Sequence, residues 1–311
     1  MQLDIFNDSR DVMLRNDVLQ ALQLRHVPKA QSAWLALQQA YPDDLVLASA
    51  HVLLEALQAH TLAVSGPALV DHAGLKQQRL ALQERVAPVA QQLLGPAAAA
   101  HWLRPFWQNL VARAAGLPFA AGHETEHAVP ILLHLQDWHG ALEAVTRIES
   151  WRRIPAPLAW MAQAKLRLHG LRATWPLLAE LAWLSPKRLE ALVQTAGDVV
   201  LLRLKDQFDA SFEPDEGVAV APASGVATQQ DQLPDQDMAW FPAWVLTQQP
   251  RHVADMAPAQ PGQHSAPEQA MRLLVNLLGL EHQGRQHELI AGRKNLRELN
   301  GWLYAQYMKT R

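Results

Sequence analysis

The sequence predicts an all-α protein of helical hairpins stacked as an irregular solenoid, followed by a C-terminal helical subdomain. Three observations predict this class. Leu and Ala dominate an apolar fraction of 49%, whereas Tyr and Phe, which favour strands, number only 3 and 6. Apolar residues recur at helical spacing along most of the chain. Proline and glycine interrupt these segments at intervals that fit helix–turn–helix units.

The first hairpin is predicted between residues 11 and 44. A helical apolar face runs to Leu22, and a second begins after Pro28. Proline suits the first turn of a helix, because the N–H that it lacks would have no partner there. The pair Tyr41-Pro42 ends the second helix. The layout is helix, short turn, helix and proline stop.

A second block of hairpins is predicted over residues 128–204. Residues 137–140 form its first turn, and Ala141 begins the next apolar stripe. A later helix ends at Gly170, which favours the left-handed conformation of a helix cap. The helix that follows is stopped by Pro186. Less regular helices at 45–63, 75–94 and 101–115 separate the two blocks of hairpins.

The composition changes after Lys205. Residues 207–237 contain seven acidic residues and no basic ones. This composition is typical of an exposed linker. The sequence therefore predicts a helical-repeat domain over 1–206, an acidic flexible linker over 207–237 and a C-terminal helical region over 238–311. Helices in the last region are expected near residues 240–247, 271–278 and 297–307.

The spacing of small residues and prolines resembles that of the tetratricopeptide repeat. Pro42 follows Ala30 by 12 residues, and Pro186 follows Ala173 by 13. In that family a small residue opens the second helix of a unit of about 34 residues. The resemblance covers the two blocks of hairpins only. The family's Trp…Leu-Gly…Tyr signature is missing from the first unit. The resemblance implies stacked hairpins, and such arrays commonly bind proteins.

Composition excludes several classes of function. The absence of cysteine excludes disulfides, thiolate nucleophiles and cysteine-bound zinc. A formal charge of −3 argues against a large basic surface for nucleic acid. We expect no cofactor. We also expect no membrane span, because no run approaches the roughly 20 apolar residues that a span needs. The N-terminal residues do not resemble a secretory signal, so the expected location is cytoplasmic.

One short motif matches a known catalytic pattern. His123-Glu124-Thr125-Glu126-His127 fits H-E-x-x-H, in which two histidines on one helical face bind zinc and the glutamate acts as a base. Gly122 precedes the motif and Pro130 follows it closely. This context favours a solvated helix start, where acidic residues interact well with the helix dipole. No G-x-S-x-G, P-loop or G-x-G-x-x-G pattern occurs.

Two groups of residues are candidates for binding a partner. The first is the exposed run Trp151-Arg152-Arg153, which suits an acidic partner. The second is the basic C-terminal cluster Arg293, Lys294 and Arg297. We expect most of the 11 tryptophans to fill gaps between helices instead.

The predicted function is a non-enzymatic scaffold or adaptor that binds a protein or peptide. One alternative is a zinc-dependent hydrolase that uses His123, His127 and Glu124. The other is a structural subunit of a larger bacterial assembly, held through the C-terminal region. The opening Leu-Asp-Ile-Phe…Ser-Arg-Asp stretch is similar to that of certain bacterial proteins, and this similarity implies no activity. Nothing in the sequence identifies the partner.

Overall fold

A computed structural model describes residues 5–65, 71–212 and 237–311. Most of these residues lie in helices, and none of them lies in a strand, which confirms the all-α prediction. None of the described helices combines the length and the apolar character that crossing a bilayer requires. Most of the predicted acidic linker, residues 213–236, lies outside the described residues. The chain divides into two compact units, residues 1–137 and 138–311.

The first unit begins with a helical hairpin. Helices α1 (Ile5–Gln23) and α2 (Val27–Ala40) pack closely on each other, as predicted for this part of the chain. His26 caps α2, since its Nδ1 accepts a hydrogen bond from the Lys29 N–H at 3.3 Å. Helix α3 (Val46–Ser65) packs on α2, and the Trp34 indole donates to the Leu47 carbonyl at 2.9 Å.

A long helix with an unusual central turn follows. It comprises α4 (His72–Leu80), a π-helical segment (Ala81–Val86) and α5 (Ala87–Leu94). Proline displaces the carbonyl four residues before it, and for Pro88 that carbonyl belongs to Glu84 in the π-helical segment. The sequence predicts a helix here but does not predict the π turn. Helices α6 (Pro96–Ala114) and α7 (Ala128–His134) complete the unit. The buried Trp102 indole on α6 donates to the Leu22 carbonyl at 2.7 Å.

The second unit begins with α8 (Trp138–Thr146), α9 (Pro155–Leu184), α10 (Pro186–Thr195) and α11 (Val199–Ala210). Helix α9 bends at Gly170, where φ is 75° and ψ is 176°. The predicted break at this glycine is therefore confirmed. The turn predicted at 137–140 is wrong, because α8 already begins at Trp138 and the chain turns before it.

The remaining helices belong to the same unit. They are α12 (Phe241–Gln248), α13 (Val253–Met256), α14 (Ala266–Gln283), α15 (Gln286–Leu299) and α16 (Gly301–Lys309). One helix was predicted near residues 297–307, but two are present. The helix is interrupted at Asn300, whose side-chain oxygen accepts a hydrogen bond from the Leu303 N–H at 2.8 Å and caps α16.

An aromatic core joins the early and late helices of this unit. The Phe208 ring of α11 lies 5.5 Å from the rings of both Phe241 and Trp244 on α12. Trp302 of α16 stacks on Phe212 at 4.5 Å. The sequence places a boundary between domains within residues 207–237. The compact units instead divide between Asp137 and Trp138, and the helices on both sides of the 213–236 segment share one core.

Candidate functional site

Trp151, Arg152 and Arg153 form a single 3-10 turn between α8 and α9. Ser150 precedes the turn with a left-handed backbone, at φ 54° and ψ 25°, and Pro155 opens the next helix. This sharp entry fixes the position of the two arginines at the start of α9. The arginines differ in environment, because Arg152 is half-buried whereas Arg153 is exposed.

Arg152 is bound by a buried carboxylate on α9. Its Nε and Nη2 donate to the two oxygens of Glu180 at 2.5 and 2.8 Å. Glu180 is only 7% exposed, and its Oε1 also accepts from the Gln260 N–H at 2.7 Å. A two-bond pairing of guanidinium and carboxylate fixes orientation as well as charge. Glu180 therefore ties the 3-10 turn to the loop that precedes α14.

A second buried carboxylate holds the same loop. Glu268 at the start of α14 is 0% exposed and accepts from the N–H groups of Gly262 and His264 at 3.0 and 2.9 Å. Arg272 donates to it through Nε at 3.0 Å. Burial alone would raise the pKa of Glu268, but the hydrogen bonds from Gly262, Arg272 and His264 outweigh it and lower that pKa. The carboxylate is therefore held in its charged form.

The Arg152–Glu180 pair and the loop held by Glu268 border a cavity of about 540 Å³, called here the Arg152 pocket. It is lined by residues 150, 152 and 153, by the end of α9 and by the loop 260–263. The Trp183 ring forms part of the wall, with the Arg272 guanidinium 5.5 Å from its centroid. The buried Nε1 of Trp183 has no hydrogen-bond acceptor among the described residues.

The charges around the Arg152 pocket leave one cation unpaired. Arg152 is neutralised by Glu180, and Arg272 by Glu268. Arg153 also lines the cavity, and it forms no ion pair with any residue of the described ranges. The pocket is therefore suited to a ligand that brings one negative charge beside an apolar or aromatic part.

Trp151 and the C-terminal basic cluster take no part in this pocket. Trp151 lies outside the cavity lining, with its ring 5.8 Å from Cζ of Arg152. Arg293 is occupied within the C-terminal helices, because it donates to the Tyr307 hydroxyl and the Glu281 carboxylate at 3.3 Å each. Lys294 lies 3.8 Å from Glu298 on the same helix. Of the three predicted residues, Arg297 alone is exposed without an ion pair to another described residue.

The H-E-x-x-H segment does not form an α-helix. Residues 124–126 make one 3-10 turn, and His127 is the extended N-cap of α7. The Nδ1 of His127 accepts from the Val129 N–H at 3.2 Å. Burial, followed by the charge of His72, lowers the pKa of His127. Because the motif needs both histidines on one face of an α-helix, the backbone here lacks its geometry.

The H-E-x-x-H segment lies at a helix start, as predicted, but part of it is buried and not solvated. Glu126 is only 2% exposed, and it lies 3.6 Å from Nη2 of Arg79. It also accepts from the Thr125 hydroxyl at 2.7 Å. His123 remains half exposed, with its ring 5.0 Å from that of His72. Within the ranges 5–65, 71–212 and 237–311, no three His, Asp or Glu side chains are grouped to hold a metal ion.

The arginines of the Arg152 pocket are predicted from the sequence, but the residues that surround and support them are not. Glu180, Trp183 and Glu268 are far from Arg152 in the chain, and each looks like an ordinary residue of an amphipathic helix. A local signal exists only for Glu268, which follows Ser265 and Pro267 at a helix start. Comparison of the chain with protein-family models, with curated proteins and with solved structures gives no match in any of the three.

Proposed function

We propose that this protein is a non-catalytic adaptor with tetratricopeptide-like hairpins, and that its Arg152 pocket receives an acidic segment of a protein partner. The observation that carries the proposal is that Arg153 lines a preformed cavity of about 540 Å³ and forms no ion pair with a described residue. Cavities of this size accommodate a side chain or a chain terminus with its neighbours. The hairpin of α1 and α2 supports the adaptor class by analogy alone.

The contacts within the pocket favour binding of a peptide over catalysis. Both buried carboxylates are already bound by arginines and by backbone N–H groups, so neither is available as a general base. What remains for a ligand is the Arg153 cation, the Trp183 wall and the polar side chains of Gln260 and Gln263. These are the features of recognition, in which a cation selects an acidic group and an aromatic wall packs on its neighbour.

The two alternative functions have less support. The hydrolase would need His123 and His127 on one helical face, and the backbone of residues 124–127 is not α-helical. The assembly subunit would need a large continuous apolar surface. The exposed large apolar residues of the C-terminal region, Ile290 and Met308, lie on separate helices.

Affinity capture from the native host, with mass spectrometry, tests the proposal. The baits are the wild-type chain, Arg153→Glu and the control Arg203→Glu, which changes an exposed arginine on α11 outside the pocket. We expect a partner that is lost with Arg153→Glu and retained with Arg203→Glu. Capture that is equal for all three baits, or no specific capture at all, would contradict the proposal. Stoichiometric zinc in the purified chain, lost on His127→Ala, would favour the hydrolase.

A further inference from the structure

The first unit contains a second cavity of a different kind. It measures about 330 Å³ and lies among α3, the π-helical segment and α6. Its floor is apolar and buried, and is formed by Leu82, Val86, Phe106 and Leu110. Cavities of small-molecule sites begin at about this volume and are lined in the same way.

The π-helical segment shapes one wall of this cavity. A π-helix bonds residue i to i+5, so residues four and five apart share one face. Ala81, Leu82, Arg85 and Val86 satisfy this spacing, and all four line the cavity. Pro88 gives the π-helical distortion a local cause.

The arginine and glutamate side chains of the polar rim carry a net charge of +1. Arg85 and Arg113 contribute two positive charges, and Glu55 contributes one negative charge. Glu55 is already bound to Arg85, whose Nη2 lies 2.6 Å from its carboxylate. The positive charge that remains belongs to Arg113, on the opposite wall.

Arg113 is the residue that points to a ligand. It is half-buried, and its one side-chain partner among the described residues is the neutral amide oxygen of Gln78, at 3.1 Å. Among the same residues, its buried Nε has no acceptor and no carboxylate pairs with its guanidinium. A guanidinium in partly apolar surroundings gains most from a carboxylate, which accepts two parallel hydrogen bonds.

A histidine completes the rim. Nε2 of His60 lies 3.3 Å from the Pro105 carbonyl, and the ring packs at 4.6 Å on that of Phe106. Since a carbonyl only accepts hydrogen bonds, Nε2 of His60 donates in this contact. The rim therefore offers a guanidinium and an imidazole above an apolar floor.

We propose that this cavity binds a small amphipathic monocarboxylate, with the carboxylate on Arg113 and the apolar part on the Leu82, Val86 and Phe106 floor. The ligand class follows from one unpaired guanidinium above an apolar space of limited volume. The proposal concerns the first unit alone and is independent of the Arg152 pocket.

Calorimetric titration of the full chain tests the proposal. The probes are straight-chain carboxylates of six to twelve carbons, below the concentration at which they form micelles, together with decanol and decylamine. We expect one-to-one binding of at least one carboxylate, about tenfold or more tighter than that of the alcohol and the amine, as a charge-assisted hydrogen bond implies. Failure of every carboxylate to bind at 1 mM, at roughly the weak limit of specific affinity, would overturn the proposal.

Two matched pairs of variants locate the site. Arg113→Met keeps the length of the side chain and removes its charge, whereas Arg104→Met makes the same change at an exposed position of α6. We expect the first to weaken carboxylate binding about tenfold or more and the second to leave it unchanged. Equal effects of these two substitutions would refute the assignment of Arg113.

The second pair fills the cavity. Ala56→Phe on α3 places a ring in the cavity, and Ala48→Phe adds the same ring at an exposed position of α3 outside it. We expect only Ala56→Phe to abolish binding. If it unfolds the unit, as thermal melting would show, the arginine pair and the comparison of head groups still decide the matter. Retained binding in a folded Ala56→Phe protein would place the ligand elsewhere and overturn the proposal.

Discussion

Replacing Glu268 with alanine tests whether buried carboxylates hold the loop of the Arg152 pocket. The substitution removes the acceptor of the Gly262 and His264 N–H groups and leaves Arg272 without its anion. Loss of one member of a buried ion pair costs about 3–5 kcal/mol. Arg272 and the loop can regain water, since their residues are partly or fully exposed. We therefore expect the low end of that range, about 3 kcal/mol.

Thermal melting followed by circular dichroism measures this loss. For a unit the size of residues 138–311, about 3 kcal/mol corresponds to a fall in melting temperature of roughly 6–12 °C. The matched control is Glu298→Ala, which removes an exposed glutamate 3.8 Å from Lys294. Exposed pairs of this kind contribute about 0–1 kcal/mol. If Glu268→Ala melts within about 2 °C of Glu298→Ala, the loop is not held by this carboxylate and the reasoning is refuted.

Three further predictions follow from other contacts. The pKa of Glu268 is lower in the folded chain than its ordinary value of 4.5, so its contribution to stability is complete above pH 4.5 and is lost as the pH falls through the lowered pKa. Urea unfolding between pH 3 and 7 should show the free energy of unfolding falling with pH in this way, and Glu268→Gln should flatten that dependence. A Cβ added to Gly292 on α15 would lie 2.6 Å from Cδ2 of the buried Leu277, whereas one added to Gly279 on α14 meets no atom within 4 Å. Gly292→Ala should therefore destabilise the protein by about 1–3 kcal/mol, and Gly279→Ala should not destabilise it at all. Equal denaturation midpoints of the two variants would contradict this. Trp102→Phe should lower the free energy of unfolding by about 1–2 kcal/mol more than Trp244→Phe in the same unfolding assay. The reason is that the indole of Trp102 donates to the Leu22 carbonyl, whereas the equally buried indole of Trp244 has no acceptor among the described residues. An equal loss of free energy would show that this hydrogen bond contributes nothing.

Local patterns are sufficient to predict most of the helices. Pro28 and Gly170 mark a helix start and a helix break in the sequence, and the structure has both features at those residues. The physical reason is that proline and glycine restrict or release the backbone of their own residue, whatever the rest of the chain does. Asn300 is a signal of the same type that the sequence reasoning passed over, and it divides one predicted helix into two.

Features that depend on distant residues could not be predicted in this way. The aromatic contacts of Phe208 with Phe241 and Trp244 join helices on either side of the 213–236 segment, and nothing in either helix alone indicates them. The same holds for the site. Arg152 stands out in the sequence because it follows a tryptophan, but its carboxylate partner Glu180 is separated from it by 28 residues. Charge pairing across a fold leaves no periodic pattern in the chain.

The loop before α14 is held in place through its backbone. The N–H groups of Gln260, Gly262 and His264 are bound by two carboxylates that belong to different helices, α9 and α14. The peptide groups therefore determine the path of the loop, and the side chains of Gln260 and Gln263 are not needed to hold it. Substitution at these two positions would change the chemistry of the pocket wall and leave its shape intact. The specificity of the pocket can thus diversify at little cost in folding free energy.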